Sequence, residues 1–241
     1  RTITMDGLTS KGSDYAVPNN VSAKTLAING LSEGDDVNLY VYPSQQADVT
    51  VSWTDGTGTK NTNQQTLEAN RVSVIDLGSV PKSATGLTIS ATEPVTAAAK
   101  VTNDGDGDQA DFALVNASVP MNVSAIAVPD HATAQVSVTN TSDDDRTATL
   151  TSYNGDGDIV EQSDLTIRAG ASTTIELADI NDGDVAAVSL ADPDQSMVWN
   201  IRVSQKDVSD AKLAGVSIIG ATDLKEAREQ VWSNQNMTIV R

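Results

Sequence analysis

The feature that most constrains this chain is an internal repeat with a period of about 100 residues. Displacing the sequence by 100 positions lays Tyr153 on Trp53, Ile167 on Leu67, Ala169 on Ala69, Ile175 on Ile75 and Leu177 on Leu77. The turn Trp53-Thr-Asp-Gly-Thr-Gly58 then meets Tyr153-Asn-Gly-Asp-Gly-Asp158. With one or two inserted residues, Val188-Ser-Leu-Ala falls on Leu87-Thr-Ile-Ser, and Asn200-Ile-Arg-Val203 on Ala98-Ala-Lys-Val101. Upstream, Leu39 to Ser44 corresponds loosely to Val138 to Ser142. A unit of this length is the size of one immunoglobulin-like sandwich, and 241 residues hold two.

Within each unit the hydrophobic pattern has period two. It is seen in Val37-Asn-Leu-Tyr-Val-Tyr42, Val49-Thr-Val-Ser-Trp53, Val72-Ser-Val-Ile-Asp-Leu77, Ala134-Gln-Val-Ser-Val138, Thr173-Thr-Ile-Glu-Leu177 and Val198-Trp-Asn-Ile-Arg-Val203. Such alternation buries one side of a strand and leaves the Ser, Thr, Asn and Gln side in water. Turn formers separate the runs: Asp55-Gly56, Asn154-Gly155-Asp156-Gly157, Ala169-Gly170 and Asn181-Asp182-Gly183. The expected fold is all-β: two tandem immunoglobulin-like sandwiches from an internal duplication, residues 1–110 and 111–241, with Trp53 and Tyr153 at equivalent core sites. One segment departs from the pattern. Thr222-Asp-Leu-Lys-Glu-Ala-Arg-Glu-Gln-Val-Trp232 has good helix formers, Glu226 three residues after Asp223, and Leu224, Ala227 and Val231 on one face. It reads as a short helix docked on the second sandwich, the alternative being an irregular connection.

Composition narrows the class of function. There is no cysteine, which excludes disulfides, thiolate metal sites and a cysteine nucleophile. A single histidine, His131, excludes multi-histidine metal sites. A net charge of −18 and a pI near 4.1 repel nucleic acid phosphates and anionic lipid headgroups. No run approaches the ~18 apolar residues of a membrane span. The chain opens on Arg1 and reads as a piece of a longer exported precursor whose signal peptide or anchor is absent here. Low Lys, abundant Thr, Ser, Asn and Asp, and no Cys suit an exported bacterial surface protein. An acid-rich cytoplasmic protein of a halophile is the competing explanation of the charge.

The repeated unit has an order of its own. A strand ends in Pro43-Ser44, Val49-Thr-Val-Ser-Trp53 follows, then a Gly-rich turn, an apolar strand with an Ala-Asn or Ala-Gly turn, and an end near Glu93-Pro-Val-Thr-Ala97. Across residues 37–205 this resembles the duplicated β-sandwich region of an exported actinobacterial cell-envelope family of unknown function. The resemblance implies a location outside the membrane and anchoring by a segment not present here. It brings no catalytic or binding residue with it.

Asp104-Gly-Asp-Gly-Asp108, with Asp111 after it, sets carboxylates at alternate positions, as in the first half of an EF-hand loop. The sixth and twelfth positions, Gln109 and Val115, lack the required Gly and Glu. Asp104, Asp106, Asp108 and Asp111 therefore form a candidate for weak calcium binding, against the alternative of a solvated linker. Asn154-Gly-Asp-Gly-Asp158 fails at the same two positions and reads as a hairpin turn. His131 lies in the turn Val128-Pro-Asp-His-Ala132, and the chain has no Gly-x-Ser-x-Gly elbow to supply a nucleophile. Parity assigns Trp53 and Trp199 to the core, and Trp232 pins the C-terminal helix. Tyr15, Tyr40 and Tyr42 form a surface patch if Tyr40 and Tyr42 face outward.

These features predict a non-catalytic extracellular or cell-surface module, acting as a spacer or interaction scaffold for a protein or glycan of the cell envelope. No cofactor is expected, nor a nucleic acid partner, nor a membrane span in this chain. The alternative is a carbohydrate-binding or accessory module of a polysaccharide-acting protein.

Overall fold

The computed structural model describes residues 2–6, 9–14, 17–103, 111–129, 133–180, 184–208 and 213–224; it is nearly all β, every strand pairing is antiparallel, and Leu177–Asp179 forms a 3-10 turn. A hairpin of β1 (Thr2–Asp6) and β2 (Thr9–Asp14) comes first. It is followed by β3 (Ala23–Asn29), β4 (Asp36–Pro43), β5 (Ala47–Asp55), β6 (Gly58–Leu67), β7 (Ser73–Ser79), β8 (Gly86–Thr102) and β9 (Phe112–Asn116). The second half holds β10 (Val123–Ala127), β11 (Thr133–Asn140), β12 (Arg146–Tyr153), β13 (Ile159–Ile167), β14 (Ser172–Glu176), β15 (Ala187–Ala191), β16 (Met197–Val208), β17 (Leu213–Gly220) and β18 (Thr222–Asp223).

Strand β8 organises the first sandwich because it belongs to both sheets. Its first part, Gly86 to Ala91, lies between β3 and β5. From Val95 to Thr102 it pairs with β4, and from Ala98 to Thr102 it has β9 on its other side. Pro94, which has no N–H to give a ladder, sits at the crossing. One sheet thus runs β6-β5-β8-β3 and the other β7-β4-β8-β9. Leu26, Ile28, Val49, Val51, Leu87 and Ile89 of the first sheet meet Val37, Leu39, Val41, Ala97, Ala99 and Val101 of the second in one buried core.

The second half repeats this arrangement, with sheets β13-β12-β15-β10 and β14-β11-β16-β17. Here the crossing strand is interrupted between β15 and β16. Buried Asp192 closes the gap, its Oδ2 accepting the N–H groups of Ser196 and Met197, each at 2.6 Å. Strand β9 pairs with β8, so Phe112–Asn116 completes the first sandwich and a division after residue 110 falls too early. The strands on either side of the acidic run therefore pair with each other, and the run joins neighbours within one sandwich. The junction lies between Asn116 and Val123.

The copies are in register, but not as a uniform displacement of 100. In the first core Val51 pairs with Ile89 and Trp53 with Leu87; in the second, Leu150 pairs with Leu190 and Ser152 with Val188. The buried counterpart of Trp53 is therefore Ser152. Tyr153 is only half-buried, lies on the opposite face, and places its hydroxyl 3.2 Å from Ser189 Oγ. This corrects the expected equivalence of Trp53 and Tyr153. The turn after β12 is longer than the turn after β5, so matching turn chemistry displaces the strand by one residue, and one residue exchanges faces. The large indole of the second core comes instead from the other sheet. Trp199 takes the place of Ala97, and its Nε1–H donates to Ser124 Oγ at 2.7 Å.

Thr222–Asp223 pairs as a short strand with Ser124 and Ala125, Leu224 after it is helical, and the rest of the expected helix, residues 225–232 with Trp232, lies outside the described residues. One further expectation changes. The polar faces of β11 and β16 are not all in water. Ser137, Thr139 and Asn200 are buried, because one end of the first sandwich sits on that face. Asn29 reaches into it: its N–H donates to Asn200 Oδ1 at 2.9 Å, its Nδ2 to the Val198 carbonyl at 2.9 Å, and its Oδ1 accepts from Thr139 Oγ1. Arg202 donates through one nitrogen to Gly30 O at 2.9 Å and Asp35 Oδ2 at 2.6 Å, and through the other to Asp35 Oδ1 at 3.1 Å. Val216 and Ile218 of β17 pack into the first core. Gly86 is required here, since a Cβ would lie 2.5 Å from Asn29 Oδ1 and 2.8 Å from Ile28 O.

Candidate functional site

The outer face of the β7-β4-β8-β9 sheet carries the most distinctive surface of the described chain. Alternation along β4 turns Val37, Leu39 and Val41 inward and Tyr40 and Tyr42 outward, where they are 38% and 40% exposed. Across the sheet, Tyr40 is flanked by Val74 on β7 and by Ala98 on β8, and Ala98 in turn by Asn116 on β9. Thr96 lies beside Tyr42. The small side chains of Thr96 and Ala98 leave a trough next to the two phenol rings. On its far side the segment 17–21 is tied down. Asn116 Nδ2 donates to Val17 O at 3.1 Å, and Asn19 Nδ2 to the carbonyls of Ala97 and Ala117 at 2.8 and 3.2 Å. The resulting open groove has a volume of about 900 Å³.

Val17, Val72 and Val74 extend this surface, so five of the six large hydrophobic side chains exposed among the described residues gather here. A cluster of that kind marks an interaction surface more often than scattered exposed aliphatics do. Asp14 is the one charged residue in the groove lining among the described residues, and its Oδ2 accepts the Leu114 N–H at 2.6 Å. Tyr42 is steadied by its hydroxyl, which donates to Asn70 Oδ1 at 3.2 Å.

Of the candidate calcium ligands, Asp104, Asp106 and Asp108 lie outside the described residues. Asp111 is described and is engaged in the fold: its N–H donates to Asn103 Oδ1 at 2.6 Å, and its Oδ2 accepts the Val216 N–H at 2.9 Å. Among the described residues no three acidic or histidine side chains converge as a metal site. His131 and Tyr15 also lie outside them. Asn154 Oδ1 accepts the N–H groups of Asp156 and Asp158, the geometry of an Asx-stabilised hairpin turn. Its counterpart Asp55 accepts both the N–H and the hydroxyl of Thr57, at 2.7 and 2.6 Å. Those bonds, the hydroxyl's foremost, hold the Asp55 carboxyl below the usual carboxylate range. Trp53 and Trp199 are buried, as parity indicated, and offer no ring to a ligand. No described helix is long and apolar enough to cross a membrane.

A family of unknown function, DUF5719, matches residues 1–178. The chain belongs to DUF5719. The DUF5719 match takes in β1 to β14, with Tyr40 and Tyr42, and ends before β16, which holds Trp199 and Arg202, and before residues 217–221, which also line the groove. No curated protein matches the chain. Among solved structures, the PBSX exported protein XepA aligns at 11% identity with a TM-score of 0.27, covering 77% of this chain and 84% of that one.

Proposed function

We propose that this DUF5719 chain is a non-catalytic, exported module of the bacterial cell envelope, acting as a stiff interaction scaffold. The observation that carries the reading is the joint between the sandwiches. Asn29, buried, bonds to buried Asn200 and Thr139, and the part-exposed Arg202 bonds to buried Asp35, so rotation of one sandwich against the other breaks both sets of bonds between largely buried groups. A flexible tether between modules needs none of this. An acidic surface keeps such a spacer soluble and limits self-association. The groove on the first sandwich supplies the face that a partner meets. The absence of cysteine and the scarcity of lysine suit an exported chain.

Pulsed electron–electron distance measurement tests the scaffold directly. Thr66→Cys on β6 and Glu161→Cys on β13 place one exposed spin label on each sandwich, and the chain has no native cysteine to interfere. A single narrow distance distribution is expected. A broad distribution in the unmodified joint overturns the reading.

A further inference from the structure

We infer that the groove beside Tyr40 and Tyr42 binds a neutral polysaccharide chain, with the two phenol rings as its stacking platform. The inference rests on the scaffold reading and names the chemistry of its partner. Three features of the surface point to it.

The first is charge. The chain carries a net charge of −18, yet among the described residues this apolar strip is lined by a single charged one, Asp14, which is bonded to the backbone of β9. A partner recognised by its cationic groups has most of the molecule to choose from and nothing to gain in this strip. A second copy of the chain would bring two strongly acidic bodies together around it. An uncharged ligand meets neither difficulty.

The second is the pairing of ring faces with amides. Tyr40 and Tyr42 are two residues apart on one strand, so their side chains leave the same face from points about 6.6 Å apart along it. A pyranose ring presents C–H groups on its faces and hydroxyls around its rim. The faces suit the π-systems of flat aromatic side chains, and the rim suits side chains that both donate and accept. Here the Thr96 hydroxyl, Asn20 and Asn116 line the same groove as the tyrosines. The amide of Asn116 spends one N–H on Val17 and keeps its Oδ1 for a further donor.

The third is shape and preorganisation. Thr96 and Ala98 form a low floor between the tyrosines and the segment 17–21, which leaves an open-ended trough rather than a closed pocket. A trough admits a polymer in mid-chain. The Tyr42–Asn70 bond and the backbone bonds of Asn19 fix both sides beforehand, so little ordering is needed on binding.

The test is affinity electrophoresis of the full chain in gels containing soluble mannan, mixed-linkage β-glucan, arabinogalactan or dextran, with alginate as the acidic comparison. Retardation by at least one neutral polymer and not by alginate is expected. Tyr40→Ala and Tyr42→Ala should each weaken it about tenfold or more, as loss of an aromatic anchor does. Tyr40→Phe, which keeps the ring, should retain it. Both tyrosines are outside the core, so the variants fold, and unchanged thermal melts verify this. Retardation by none of the neutral polymers overturns the inference, as does retardation indifferent to both alanine substitutions. Self-association in sedimentation that these substitutions abolish also overturns it and assigns the face to a second copy. None of these outcomes touches the scaffold reading, which stands or falls on the distance between the sandwiches.

Discussion

Arg202 of the second sandwich grips Asp35 of the first with two guanidinium nitrogens, one to each carboxylate oxygen, across 167 positions of sequence. The carboxylate is almost wholly buried, with side-chain exposure of 1% against 11% for the guanidinium. A planar fork suits this geometry in a way that a lysine ammonium does not. Arg202→Ala takes both guanidinium bonds away from the buried Asp35 carboxylate, and a loss of about 3–5 kcal/mol is expected. Arg202→Lys should recover only part of it. Urea denaturation followed by tryptophan fluorescence measures both, and equal stability of Arg202→Ala and the native chain would show that the joint carries no load.

The reassigned core register predicts unequal effects for two residues that look alike in sequence. Trp53→Ala removes a buried indole and should cost about 3–5 kcal/mol. Tyr153→Ala, at a half-buried site on the opposite face, should cost about 1 kcal/mol. Thermal and urea unfolding of the two variants decides the matter. Comparable losses would restore the equivalence that the structure denies.

Trp199 and Ser124 form a buried hydrogen bond between the two sheets of the second sandwich. Trp199→Phe keeps most of the ring but leaves the Ser124 hydroxyl without its donor, at an expected cost of about 1–3 kcal/mol. Adding Ser124→Ala should return part of that loss, because neither partner is then left unpaired. A double-mutant cycle reads the coupling, and strict additivity would mean that the bond contributes nothing.

Asp55 gives a pH dependence of known sign. Its folded carboxyl is depressed below its unfolded value by Thr57, so the turn's contribution is present above the unfolded pKa and fades as pH falls through the folded one. The Asp55 carboxyl resonance should titrate below the ordinary aspartate midpoint. In Thr57→Val, which deletes the hydroxyl donor, it should move back toward that midpoint. An unmoved resonance would remove Thr57 as the cause.

Much of the architecture was legible in the sequence. Alternation located the strands, and the repeat foretold two copies of one strand order. What misled was assuming one constant displacement. Buried residues lie 99 positions apart for Val51 and Leu150 but 101 for Ile89 and Leu190, and only the pairing of the strands reveals the compensation. The joint was hidden for another reason. Ser137, Thr139 and Asn200 occupy the polar phase of their strands, and a polar phase reads as solvated until something non-local covers it. The tyrosine-lined surface was half visible: alternation with Leu39 and Val41 turned Tyr40 and Tyr42 outward, but the trough needs Thr96 and Ala98 from a strand more than 50 residues later.

The crossing strand also sets an order of events for a chain leaving the ribosome. β8 is the hydrogen-bonded neighbour of β3, β4, β5 and β9, so until residues 86–102 emerge the upstream chain described here has only the β1–β2 and β5–β6 hairpins and the β4–β7 pair to form. Each of those alone is a two-stranded ribbon, and such ribbons are marginal in water. Nascent segments with alternating Val and Leu therefore wait, half-assembled, for a single late strand to close both sheets. The same delay recurs in the second copy, where β15 and β16 arrive after β10 to β14. During synthesis, each half of this protein is most in need of protection just before its crossing strand arrives.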